Sequence, residues 1–191
     1  MRSRVLQVAL SLTLSSILLS GCGSTAPTTH NLSPKAVALT IPTDCEKTGV
    51  NEALDAIVPG STYIPTQWQP ATGTELADFL NNGGLACSYG LQSAEIGTTV
   101  KWVSDKNDLF EKRVASWLVD GSTKVTIPGF EDSDSYFLLK KQSATQEFHV
   151  WMLNVKYRGA WIQLSCTAFA QDLESGLPLL RAAVAQKKLP L

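Results

Sequence analysis

Imidazoles, thiols and carboxylates carry most hydrolytic, redox and metal chemistry, and this chain of 191 residues has only two of the first, His30 and His149. A hydrolytic triad needs a histidine as base beside its nucleophile. His30 sits in a Ser/Thr/Pro-rich stretch, while His149 falls at the open end of an expected hairpin, opposite Ala168, with no Gly-x-Ser-x-Gly elbow beside it, and reads as a strand histidine. The cysteines Cys22, Cys45, Cys87 and Cys166 are too dispersed for zinc, which wants clustered Cys and His ligands. Glu131-Asp132-Ser133-Asp134-Ser135 alternates oxygen donors in the manner of a weak calcium loop. It lacks the glycine and the distal glutamate of an EF-hand, so it reads as a solvated turn. Among five tryptophans, Trp117 and Trp151 fall on expected core faces. Trp68, between Pro65 and Pro70, and Trp161, on a wetter strand face, are the candidate ligand contacts. No P-loop, dinucleotide glycine pattern or basic-aromatic strip occurs, so no catalytic residue, metal, cofactor or nucleic-acid partner is expected.

Four helices and a set of strands are expected to position these groups. Thr43 and Glu46 fit a capping box, followed by Val50, Ala53, Leu54, Ile57 and Val58 on one helical face closed by Pro59. Thr72 or Thr74 caps a short helix carrying Leu76, Phe79 and Leu80, which Gly83-Gly84 stops. Asp105 caps a third, with Phe110, Val114, Trp117 and Leu118 along one stripe. The last spans about Leu177 to Lys187, with Pro178 in its first turn and Lys187-Lys188 at its negative end. Strand signals cover Leu85–Leu91, Thr98–Val103, Val125 with Ile127, and Tyr136–Lys140. The strongest is the stretch 148–169, folded at Arg158-Gly159. That turn sets Val155 against Ile162, Leu153 against Leu164 and Trp151 against Cys166 on one apolar face. Lys156 then meets Trp161, and Asn154 meets Gln163, on the other. The expected fold is α+β, a mainly antiparallel sheet of five or six strands with helices packed largely on one face.

Upstream of this domain, Met-Arg-Ser-Arg precedes an apolar run from Val5 to Leu19. At about 15 residues it suits a secretory signal and is short of the roughly 20 needed to span a bilayer. The run ends in Leu19-Ser20-Gly21-Cys22, which resembles the lipobox of bacterial lipoproteins. The resemblance implies a signal peptide over 1–21, a diacylglycerol thioether on Cys22, and attachment to the outer side of a membrane. Two acyl chains hold a soluble domain stably where one does not. Residues 22–40 read as a lipidated tether rich in Ser, Thr and Pro, and 41–191 as a single α+β domain. Loss of 1–21 removes Arg2 and Arg4 and no acid, leaving 14 basic against 17 acidic residues and a formal charge of −3. That balance argues against nucleic acid and anionic headgroups as partners. With Cys22 lipidated, three thiols remain, enough for one bridge and one free cysteine.

Further signatures lie in the mature chain: Pro42-Thr43-Asp44-Cys45, then Gly83-Gly84-Leu85-Ala86-Cys87-Ser88-Tyr89-Gly90, and the late Gly159-Ala160-Trp161. Together they resemble a broad group of actinobacterial cell-surface lipoproteins of unassigned function, with Tyr89 standing where tryptophan is commoner. The resemblance implies a disulfide between Cys45 and Cys87, leaving Cys166 as a buried hydrophobe, and implies no activity. The expected function is therefore a lipid-anchored envelope protein whose domain is a non-catalytic binding or accessory module for an envelope protein or a small apolar or glycan ligand. The alternatives are an envelope enzyme acting on cell-wall or lipid substrates through carboxylates, and a structural subunit of a membrane complex.

Overall fold

The hairpin at Arg158-Gly159 organises the molecule. In the computed structural model, which describes residues 37–141 and 149–185, strands β6 (Val150–Tyr157) and β7 (Ala160–Thr167) pair in the register expected from their alternation. Arg158 and Gly159 both take positive φ, 47° and 75°, the primed-turn geometry whose twist matches that of the flanking strands. Glycine adopts that conformation freely; arginine does so at a cost of roughly 1 kcal/mol. The expected signal peptide 1–21, the lipobox with Cys22, His30, most of the tether 22–40 and Lys187-Lys188 lie outside the described residues.

Around this hairpin the sheet adds β1 (Thr62–Ile64), β2 (Leu85–Leu91), β3 (Ile96–Ser104), β4 (Thr123–Lys124) and β5 (Asp134–Lys140). The order is β1-β2-β3-β7-β6-β5-β4, every neighbour antiparallel. The fold is α+β, with seven strands where five or six were expected. The extra one is β1, only three residues long and ended by Pro65, too short to leave an alternation in the sequence. Val125 and Ile127, expected in a strand, fall just after β4 and outside it, although the Val125 N–H donates to Ser135 O at 3.0 Å.

Helices α1 (Val50–Asp55), α2 (Glu75–Asn81), α3 (Leu109–Val119) and α4 (Leu173–Ala185) divide between the two sheet faces instead of gathering on one. On the first face Cys87, Tyr89, Val100, Trp102, Leu153 and Ile162 form the main core with Val50 and Leu54 of α1 and Leu177 and Leu180 of α4. Leu39 and Ile41 also pack there, and the Leu39 N–H donates to Arg158 O at 2.9 Å, so the chain enters the domain beside the hairpin turn. The second face carries an aromatic cluster, Trp161 and Val103 of the sheet with Phe79 of α2 and Phe110 and Trp117 of α3. A side chain of tryptophan size removes on the order of 200 Å² from water, about 5 kcal/mol of transfer free energy, which favours covering Trp161 over leaving it wet.

Local signals decide where these helices start. Asp44, not Thr43, caps a single 3-10 turn over Cys45–Lys47 by accepting from Glu46 N, and Gly49 in the left-handed region then opens α1. Thr74 caps α2 through the Ala77 N–H. Asp105 reaches α3 from outside it, its Oδ1 accepting from Phe110 N at 3.1 Å. Leu118, expected on the buried stripe of α3, is half exposed. The last helix begins a turn earlier than expected because Asp172 Oδ1 accepts from Ser175 N at 2.9 Å, which puts Pro178 inside α4. Beneath it lies Trp151, so close that a Cβ on Gly176 would sit 2.3 Å from the indole.

Candidate functional site

Because neighbouring strands are in register, residues on the second sheet face fall into rows that cross the sheet. Nearest the hairpin turn the row is Val103–Trp161–Lys156–Asp134, and the next is Ala86–Lys101–Gln163–Asn154–Tyr136. Beyond these comes Ile64–Ser88–Thr99–Ser165–Met152–Leu138. Helices α2 and α3 supply the aromatic cluster that packs on the first row. The third carries the half-exposed hydroxyls Ser88, Thr99 and Ser165. Chemistry along this face therefore grades from ion pairs through a buried amide ladder to an open hydroxylated surface.

Hydrogen bonds link the ladder along its length. Lys101 Nζ donates to Gln163 Oε1 at 2.5 Å, and Gln163 Nε2 donates to Asn154 Oδ1 at 2.8 Å and to Glu75 Oε2 at 2.5 Å. Trp161 Nε1 donates to the same Asn154 oxygen at 3.0 Å, and Trp117 Nε1 donates to Glu75. Asn154 and Gln163 are almost wholly buried. Burial pushes the Lys101 ammonium below the ordinary lysine range, and the negative charge of Glu75 opposes that fall. Nearer the turn, Lys156 pairs with Asp105 at 2.9 Å and also with Glu111. Burial disfavours its charge, but hydrogen bonds to Glu111 and Asp105 and their carboxylate charges outweigh it, raising Lys156 to about 12. These bonds fasten α2 and α3 to the sheet. Each residue named in them has its partner, and the arrangement holds the two helices against the sheet.

Past the ladder the sheet floor opens into a groove of about 410 Å³. Its hydroxyls are Ser88, Thr99, Ser165 and Thr167; Ile64 gives an apolar flank, and Gln92 and Glu95 stand at the rim. Ser88 and Thr99 share one hydrogen bond at 3.3 Å. Among the described residues neither the Ser165 nor the Thr167 hydroxyl has a partner. At the outer end Gly90 faces Gly97, where a Cβ would meet a neighbouring carbonyl oxygen at 2.3 or 2.5 Å, so the floor there is bare backbone. No protein-family model, curated protein or solved structure matches the chain.

The residues singled out in the sequence are dispersed. Cys45 and Cys87 form a disulfide, 42 residues apart, beside Tyr89, whose hydroxyl donates to Cys45 O at 2.7 Å. Cys166 is free and buried against Thr98, and burial pushes its thiol up to about 12. Trp161, expected to be available to a ligand, is wholly buried because α2 and α3 cover its face. Trp68 is half-buried at the sheet margin, its indole donating to Ala86 O at 2.8 Å. His149 Nε2 hydrogen-bonds Ala170 O. In the acidic run, Asp134 pairs with Lys124 at 2.7 Å and Glu131 accepts from Gly129 N, the bonds of a turn. Among the described residues no group of three His, Cys, Asp or Glu could hold a metal, and no helix is long and apolar enough to cross a membrane. Missed altogether were Glu75, Lys101 and the groove hydroxyls. Their only trace in the sequence was the apolar stripe of α3, which needs a second sheet face to rest on.

Proposed function

We propose that this chain is a lipid-anchored protein of the bacterial envelope whose domain binds a partner and does not transform it. The observation that carries the placement is Leu19-Ser20-Gly21-Cys22 at the end of an apolar run with a basic start. The Cys45–Cys87 disulfide supports it, since such bonds persist in extracytoplasmic compartments. Kinship with actinobacterial surface lipoproteins is part of the same proposal and rests on the cysteine-bearing motifs. Binding rather than catalysis is supported by how the reactive side chains are engaged. His149, Glu75, Lys101 and Lys156 all serve as structural hydrogen-bond or ion-pair partners, while the hydroxyl groove stands open.

Labelling cells with a tagged fatty acid tests the placement. The wild-type chain should take up label and Cys22→Ala should not; equal labelling of both refutes the lipobox. The binding role is tested by incubating the purified full chain with ester, glycoside and peptide substrates. Turnover that disappears in His149→Ala would make it an enzyme and end this reading.

A further inference from the structure

Resting on that reading, we infer that the open groove on the second sheet face is a binding site for a short uncharged glycan. Its volume, about 410 Å³, is within the range of roughly 300–1,000 Å³ typical of small-ligand sites. The lining decides the class. Among the described residues that form it there is no lysine, arginine or histidine, and the one charged group is the Glu95 carboxylate at the rim. A phosphate, sulfate or carboxylate ligand would find no cation there and one repelling anion.

Hydroxyls dominate what remains. Ser88, Thr99 and Ser165 stand on three adjacent strands in register, so their side chains repeat at the strand spacing of about 4.8 Å across the floor. Each hydroxyl can donate or accept, which suits a ligand whose own groups also do both, as sugar hydroxyls do. A peptide is a poorer match, because the floor backbone is committed to the β2–β3–β7 ladders and has no strand-pairing capacity left. Ile64 beside Ser88 gives the C–H face of a sugar ring somewhere apolar to lie. Glu95 can accept from two ring hydroxyls at the rim.

The chain enters the domain beside the hairpin turn, where Leu39 bonds Arg158. The groove is at the other end of β3 and β7, near Gly97 and Thr167. A glycan held there is thus separated from Leu39 by the length of the sheet.

Saturation-transfer NMR on the full chain in amine-oxide micelles, a detergent without sugar, tests the assignment with maltotriose and diacetylchitobiose as probes and glucose 6-phosphate as the anionic comparison. At least one neutral probe should give a saturable signal, and glucose 6-phosphate none. Thr99→Val and Ser165→Ala should each weaken binding about fivefold, the loss of one neutral hydrogen bond. Val119→Ser, on the exposed end of α3, should leave it unchanged. Absence of signal from both neutral probes, or binding that ignores both groove variants, overturns the glycan assignment. Binding of glucose 6-phosphate alone overturns the ligand class while leaving a binding domain in place. The binding role itself fails only on substrate turnover.

Discussion

Removing the disulfide should cost this domain a large share of its stability. Cys45 and Cys87 are 42 residues apart and both are buried. In the chain-entropy description, opening a loop of that length returns about 4 kcal/mol of freedom to the unfolded chain. Cys45→Ala with Cys87→Ala also leaves the volume of two sulfur atoms unfilled between the 3-10 turn and β2, which adds to the loss. With a urea slope of about 2 kcal/mol per molar, the unfolding midpoint should fall by about 2 M. The assay is urea titration followed by tryptophan fluorescence, with wild type reduced while unfolded and kept in reductant as a second route that opens the loop but keeps both sulfur atoms. The reduced wild type should fall by the loop share alone, and the double variant by somewhat more. A midpoint shift below about 0.5 M would refute the reasoning. It would mean that the Tyr89 hydroxyl on Cys45 O, and Thr48 beside it, already hold the segment without the covalent bond.

Further outcomes follow from the same structure. Gln163→Leu strips partners from Lys101, Asn154 and Glu75 together, so it should destabilise by about 3 kcal/mol or more in urea unfolding. A loss below about 1 kcal/mol would show the ladder to be solvated. Thr74→Ala removes the cap on α2 and should cost about 1 kcal/mol, with Thr74→Ser nearly neutral. Stability should also decline on the alkaline side. Burial raises Cys166 from 9.0, and Tyr89 from 10.0, to about 12. Lys156, although burial opposes it, is raised from 10.5 to about 12 by its carboxylate partners. A group whose pKa is higher folded than unfolded contributes in full below its unfolded value and loses that contribution as pH rises to the folded one. The melting temperature should therefore begin to fall near pH 9, and Cys166→Ala should delay the onset toward pH 10, where Tyr89 takes over. An onset identical in wild type and Cys166→Ala contradicts this assignment.

What the sequence disclosed was local. The β6–β7 hairpin was legible residue by residue because its alternation has a period of two and its turn contains glycine; the register then followed. The caps were legible from their short side-chain acceptors, with Thr74 acting where Thr72 or Thr74 was expected and Asp105 acting from outside its helix. The use of the second sheet face was not legible. Asn154, Gln163 and Lys156 look like a wet strand face, and only the packing of α2 and α3 turns it into a core with Trp161 inside. The groove was hidden for a related reason. Serine and threonine are ordinary strand residues, and Ser88, Thr99 and Ser165 become a row only when β3 pairs with β7 across the long stretch of chain between Ser104 and Ala160. Long-range pairing of this kind depends on the whole core, not on any motif within a strand.

The proposal that this domain works on a lipid anchor is tested most directly by intact mass spectrometry of the amino-terminal peptide, taken from protein extracted from membranes. The account predicts that the mature chain starts at Cys22, carrying the mass of a diacylglycerol thioether. A chain that starts elsewhere, or a Cys22 thiol of unmodified mass, would contradict it.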